Sequence, residues 1–280
     1  MNTILVIAHL TYREAIRRKI VLAALVLGMA FLLLYGLGFY FIQREITSEM
    51  SDLQDKLLHT EASNFLLLAG MYVVNFLTIA IAALVSADSL AGEIQSGTIQ
   101  SIVTKPIRRS EVVLGKWLGH AFLILLYMIL MAGGVTLIVR VMGGFAASNW
   151  VTGMVLLYFN SLIIMTLTLA FSSSMSTLAT GGAVFGAYGL AFIGGWVERI
   201  GSLVSNQTAI DLGIVSSLLL PSEALWNKAS SVMTSPLTAM TGMTPFTSGS
   251  VPSNLMLGYS VLYLLGMLAI TIRRFNQRDL

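Results

Sequence analysis

Cysteine is absent from the 280 residues. Disulfides, thiolate nucleophiles and Cys-based zinc sites are therefore excluded. Charge is nearly as scarce. Only 10% of the residues are Asp, Glu, Lys or Arg, against about 25% in a soluble globular domain. No long window holds a normal share of charge, so no separate soluble domain is expected. The histidines, His9, His59 and His120, are too scattered to suggest a metal site. The signatures HExxH and Gly-x-Ser-x-Gly are missing, as are paired acids inside the apolar stretches. Gly115-Lys116 is followed by Trp117, not Ser or Thr, and no glycine stands at the upstream P-loop position. We expect a chain without catalytic residues, metal or cofactor of its own, and without a nucleic-acid partner.

What is present is apolar surface. Hydrophobic residues make up 56% of the chain, more than a soluble protein of this size hides. Lipid removes that difficulty, and a bilayer core of about 30 Å takes roughly 20 apolar residues per helix. Six spans are expected. They run near Ile20–Ile42, Phe65–Ala87 and Trp117–Met142, then two within Trp150–Trp196, and a last near Leu255–Ile272. Ser172 to Thr177 is the polar interruption that divides the long fourth run. The first apolar run follows a charged stretch without a convincing cleavage site, so it is expected to stay as an uncleaved span.

Lys and Arg set the orientation. With six spans both termini share a side, and that side holds 11 of the 16 basic residues. Both termini are expected in the cytoplasm. Residues 1–19 are too polar to span. Ile4, Ile7, Ala8, Thr11 and Ala15 form a helical stripe away from His9, Arg13 and Arg17, which suits an interfacial amphipathic helix in contact with membrane lipid. Glu14 and Arg18 stand at i,i+4. Residues 43–64 carry five acids and two bases, with Ile46, Met50, Leu53 and Leu57 at helical spacing, and are expected to form a short external surface helix. Residues 197–254 form the longest external segment. Within it Ile210–Leu220 is too short to span, Pro221 ends it, and Ser222 is expected to cap a short helix through Ala229, with Glu223 in its first turn.

The loop at 88–116 carries the most specific pattern. Gly97 is placed to end a helix, Lys105-Pro106 breaks the chain, and Ser110 is a candidate N-cap with Glu111 in the first turn. The sequence reads Glu93-x-x-x-Gly97-Thr98, then Pro106-x-x-Arg109, then Glu111-x-x-x-Gly115-Lys116. Together with Thr11-Tyr12-Arg13-Glu14-Ala15 leading into the first span, this resembles the ABC-2 type permeases, the membrane-spanning subunits of ABC exporters. The resemblance covers nearly the whole chain as one transmembrane domain, 1–280, although only residues 88–117 are of motif grade.

The resemblance implies an all-α polytopic fold with an N-terminal interfacial helix and a cytoplasmic coupling helix between spans two and three. It implies that Glu93, Gly97, Thr98, Pro106, Arg109, Glu111, Gly115 and Lys116 serve coupling to a separate cytoplasmic ATPase. Two copies of that subunit would carry ATP and Mg. It also implies a second permease subunit, identical or not, transport in the direction of export, and a bacterial or archaeal cytoplasmic membrane.

Ala179, Ala183, Ala187, Ala191 and Gly195 place a small residue at every fourth position of span five. Such a stripe admits another helix closely, either within the subunit or at a dimer interface. Asn75 and Asn160 are expected to hydrogen bond between spans, Glu198 and Arg199 to pair locally, and Arg140 to snorkel outward. Two rival readings remain. One is a secondary transporter or channel, disfavoured by the scarcity of charge within the spans. The other is a scaffold that transmits force to an external partner bound at 197–254.

Overall fold

A computed structural model describes residues 3–47, 53–97, 107–147, 149–236, 238, 246 and 251–277. Among these residues there are nine helices and no strand: α1 (Thr3–Arg17), α2 (Lys19–Thr47), α3 (Leu53–Gln95), α4 (Arg109–Gly143), α5 (Trp150–Ser172), α6 (Thr177–Leu203), α7 (Gln207–Leu219), α8 (Ser222–Met233) and α9 (Asn254–Gln277). Six of them, α2 to α6 and α9, are long and apolar enough to cross a membrane. They are the six expected runs. The break between α5 and α6 falls on the serine-rich interruption, where Ser176 caps α6 by accepting from the Ala179 amide at 3.4 Å.

Burial orders the bundle. The apolar window of α5 is 67% buried and that of α3 56%, whereas those of α2 and α9 are each 17% buried. Thus α5 and α3 form the centre, and α2 and α9 present leucine-rich faces outward. Leu68, Met71, Val74, Met128, Met131 and Val135 fill the core between α3 and α4. Inside the apolar core, Asn160 donates to Asn75 at 3.1 Å, the expected inter-span bond. Arg140 is exposed, as a snorkelling side chain would be.

The structure departs from expectation in three places. First, α3 is one helix from Leu53, so residues 53–64 of the expected surface helix extend span two, while 43–47 continue α2 and 48–52 lie outside the described residues. At 43 residues, α3 is about 65 Å long. Second, α4 starts at Arg109, well before Trp117, and its N-cap is Arg108, not Ser110. Glu111 reaches back to the Arg108 amide at 3.1 Å, as an N3 acid does in a capping box.

Third, α7 and α8 do not trail away from the bundle. They bend by 106° at Leu220-Pro221, and α8, whose N-cap is Pro221, not Ser222, packs on α5 and α6. Its Trp226 is fully buried, edge-on to Tyr72 with centroids 4.8 Å apart. A run too short to span can still enter a bundle if its polar groups find partners there.

Helix α1 and the close of α9 lie at one end of the bundle. The Arg109 guanidinium donates to the Phe275 and Asn276 carbonyls at the close of α9, at 3.3 and 3.1 Å, while α1 packs along the first half of α4.

Candidate functional site

The end that holds α1 and the close of α9 also holds the stems of the 88–116 loop. Gly97 closes α3 with φ +71°, and the Ser96 amide bonds the Gly92 carbonyl at 2.9 Å. This is the left-handed helix end that glycine adopts without cost. The other stem is the capped start of α4.

An ion pair joins the two stems. The Lys116 ammonium lies 2.6 Å from a Glu93 carboxylate oxygen and 3.0 Å from the Ser89 carbonyl. The side chains are only 5% and 16% exposed, so water screens the pair little. Glu93 and Lys116 therefore act first on each other, and through that contact they fix the spacing of the stems.

A second polar cluster ties the same end together. Arg18, at the corner between α1 and α2, donates to Asp88 of α3 at 2.7 Å and to Glu14 at 2.5 Å. Asp88 also accepts from the Thr177 hydroxyl at the start of α6, at 3.0 Å. Ser172, ending α5, inserts its hydroxyl beside the last turns of α3. It donates to the Ala87 carbonyl at 2.8 Å and accepts from the Ala91 amide at 2.9 Å. Those two groups stand at i and i+4 in one helix, so Ser172 bridges a rung of the ladder, an insertion of the kind that marks bends in helices.

The helix α1 completes the end. Two residues of the expected lipid-facing stripe, Thr11 and Ala15, are instead buried against α4. A Cβ on Gly115 would stand 2.6 Å from Ile7 Cβ, and one on Gly119 only 2.6 Å from the Ala8 carbonyl oxygen. Gly115→Leu is accordingly expected to push α1 off α4 while α4 still inserts. The check is limited proteolysis of purified protein, with cleavage between residues 12 and 20 rising severalfold. Unchanged cleavage would mean that α1 does not depend on this contact.

Of the positions singled out in sequence, Glu93, Gly97, Arg109, Glu111, Gly115 and Lys116 come together at this end. Thr98 and Pro106 fall within residues 98–106, outside the described residues, as does the expected short helix there. Arg13 and Arg17 are exposed on α1, and Glu14 is engaged with Arg18. Arg18, Asp88, Ser172 and Thr177 were missed as a cluster. Asp88, an acid at a span's end, was the one available signal.

The small-residue stripe of α6 divides. Ala191 and Gly195 are buried within the subunit, and a Cβ on Gly195 would lie 2.7 Å from Glu223 Cγ. Ala183 and Ala187 are half-buried and Ala179 is exposed.

At the opposite end, the expected local pair of Glu198 with Arg199 is not the one formed. Arg199 donates instead to Glu223 at 2.8 Å and Asn227 at 3.1 Å, both on α8. Neighbours on a helix point in different directions, so Arg199 meets α8 while Glu198 faces Gly213 of α7. Its guanidinium lies over the rings of Tyr72 and Trp196 at 5.9 and 5.3 Å. Among the described residues no three His, Asp or Glu side chains cluster as metal ligands would.

Comparison with known proteins agrees with this architecture. A family model described as ABC-2 family transporter protein matches residues 5–280. No curated protein matches the chain. Six apolar helices and a family match over nearly its full length lead to one conclusion: the chain is an integral membrane permease that belongs to the ABC-2 family of ABC transporter proteins.

Proposed function

We propose that this chain is the membrane-spanning half of an ATP-driven exporter, working as a dimer with two copies of a separate cytoplasmic ATPase. The observation that carries the proposal is the clamped neck of the 88–116 loop. A loop whose stems are joined by a buried ion pair moves as a unit with α3 and α4. Through Arg18, Asp88, Ser172 and Thr177 its displacement reaches α1, α2, α5 and α6 as well. In this reading Thr98, Pro106 and Glu111, with the neighbouring Arg109, present the docking surface, and Glu93 and Lys116 hold it in register. ATP and Mg are bound by the partner, and this chain does no chemistry. The loop end is the cytoplasmic end, in accord with its share of Lys and Arg. The helix α1 lies at the membrane interface, with Leu5 and Ile16 still exposed for lipid contact. The membrane is the cytoplasmic membrane of a bacterium or archaeon.

One observation favours a force-transmitting scaffold as the second reading. The unbroken α3 links the loop end to the far end, where Asn64 holds the Met233 carbonyl and the Ser235 amide, each at 3.0 Å. Glu61 accepts from Ser235 at 2.7 Å and also from Thr238. A movement of the loop stems would shift this segment directly, for an external partner bound within 197–254. The two readings separate by whether ATP hydrolysis moves a solute or only alters the affinity for a partner.

The test is a pull-down of the tagged chain in mild detergent from its native membrane. Wild type is expected to recover a P-loop ATPase. Gly97→Pro is expected to recover several times less, because proline cannot take the positive φ of that helix end. If neither chain recovers an ATPase, the coupling reading fails.

A further inference from the structure

On α9, Tyr263, Met267, Ile270, Arg274 and Gln277 recur at spacings of four and three, which puts them on one face of the helix. That face runs from apolar to polar. Leu167, Phe171 and Ser174 follow the same spacing at the close of α5, the helix on which α9 packs. Two cavities open along this line. The first, of about 250 Å³, has Leu167, Phe171, Ala187, Leu190, Tyr263 and Met267 among its walls. The second, of about 400 Å³, is open and is bounded by Ser173, Ser174, Arg274 and Gln277.

The cavities differ in chemistry. The first is apolar except for the Tyr263 hydroxyl and that of Ser216, which donates to the Gly213 carbonyl of its own helix at 2.7 Å. The second is cationic. Arg274 is exposed, and it donates to Ser174 Oγ, a neutral acceptor, at 3.2 Å. No carboxylate among the described residues pairs with it, and none of the described residues lining the pocket is acidic. Asp88, which reaches Thr177 just past the serines, is shared with Arg18. A guanidinium carries five N–H donors, so Arg274 keeps a fork for an oxyanion, and Gln277 adds a neutral amide donor.

The spacing of the cavities suits an amphiphile. Arg274 stands seven residues beyond Met267, about 10 Å along the helix axis. The headgroup layer of one leaflet is about 5–8 Å thick. A cavity that far from a lipid phosphate therefore lies level with hydrocarbon. Ile270, between the two cavities, is exposed, as are Leu190 and Leu219 at the rim of the first, so an alkyl chain enters from the bilayer.

We propose that this face of α9 holds an anionic phospholipid, its phosphate on Arg274 and Gln277 and one acyl chain in the cavity at Met267. A guanidinium takes phosphate oxygens two at a time, while the chain fills apolar space. The ammonium of a zwitterionic headgroup finds no acid on the described walls of the pocket, which favours the anionic lipid. The inference needs only that the chain spans a membrane, and depends neither on its orientation nor on the ATPase.

The experiment uses the full chain in nanodiscs of phosphatidylcholine, without ATPase. The probe is a trace of phosphatidylglycerol with a diazirine on its acyl chain, and adducts are mapped by mass spectrometry. Saturable adducts are expected within 167–171, 187–191 and 263–270. Unlabelled phosphatidylglycerol is expected to compete and inorganic phosphate is not. Saturation against a phosphatidylcholine background itself reads the preference for the anionic head. Arg274→Gln is expected to weaken saturable labelling about tenfold, the size of one charge-assisted hydrogen bond. Arg273→Gln removes the same charge one residue off the face and is expected to leave labelling within about twofold of wild type. Ala187→Phe, which fills the first cavity and leaves every charge in place, is expected to weaken labelling as well. If Ala187→Phe does not insert, the two arginine variants decide. Non-saturable labelling spread over all helices, competition by inorganic phosphate, equal losses in the two arginine variants, or wild-type labelling of Arg274→Gln or of inserted Ala187→Phe would overturn the proposal.

Discussion

Arg199→Ala is expected to be among the most destabilising single substitutions in the chain, lowering the melting temperature in detergent by roughly 10 °C. The reason lies in what remains. Glu223 is 1% exposed and Arg199 5% in the intact pair. Removing the guanidinium leaves a carboxylate inside the bundle with its countercharge gone, and breaking a buried pair from one side costs about 3–5 kcal/mol. The loss also takes a donor from Asn227 and a cation from the rings of Tyr72 and Trp196. The pair itself is a different matter. Its attraction largely repays the desolvation of both ions, so Arg199→Met with Glu223→Met should melt higher than Arg199→Ala. A thermal unfolding series of the three proteins reads both effects. A melting point for Arg199→Ala equal to wild type would show that α8 is not held by this contact.

The second large effect concerns coupling and not stability. Glu93→Gln is expected to insert and dimerise normally while transport-coupled ATP hydrolysis falls severalfold. Glutamine keeps the shape of the side chain and one acceptor for Lys116, so the local helices should survive. What it removes is the charge that draws the two loop stems together at 2.6 Å. The exchanged double variant, Glu93→Lys with Lys116→Glu, restores opposite charges across the same gap and is expected to recover part of the coupling that each single change loses. Such recovery distinguishes a clamp from a docking contact. If Glu93 touched the ATPase directly, moving the acid to position 116 would not help. Normal coupled hydrolysis by Glu93→Gln would remove the neck from the mechanism altogether.

Much of the local structure was legible because local rules govern it. A helix in lipid must satisfy its own backbone, so the apolar runs mark the spans with little interference from tertiary context. Gly97 could be read as a helix end because only a residue without Cβ takes φ +71° freely. The break at Ser172 to Thr177 was visible as polarity, though not that Ser172 reaches across to the Ala87 carbonyl. The loop between the two stems was assigned from a resemblance, and its Thr98 and Pro106 fall outside the described residues.

The candidate site was half legible. Glu93, Arg109, Glu111 and Lys116 were singled out for coupling, and the structure adds that Glu93 pairs with Lys116 while Arg109 and Glu111 bond helix ends. Glu93 is 23 residues from Lys116 and Arg109 is 167 from Asn276. Whether such groups meet depends on how the helices pack, and no periodicity along the chain encodes that. Gly115 was placed among the coupling residues, but its lack of a side chain serves the approach of α1.

By itself, the sequence determined that this is a membrane protein, how many helices are long enough to span, where the first loop stem ends at Gly97 and which stretches are rich in basic residues. Each of these follows from the solvation of a helix by lipid or from the φ of a single residue. Tertiary structure alone decided that Arg199 pairs with Glu223 and not with Glu198, and that 207–233 folds back into the bundle. These depend on which faces meet once the spans are packed. In the bilayer that choice rests on close approach at small residues and on the pairing of a few buried polar groups, and both are properties of two helices together.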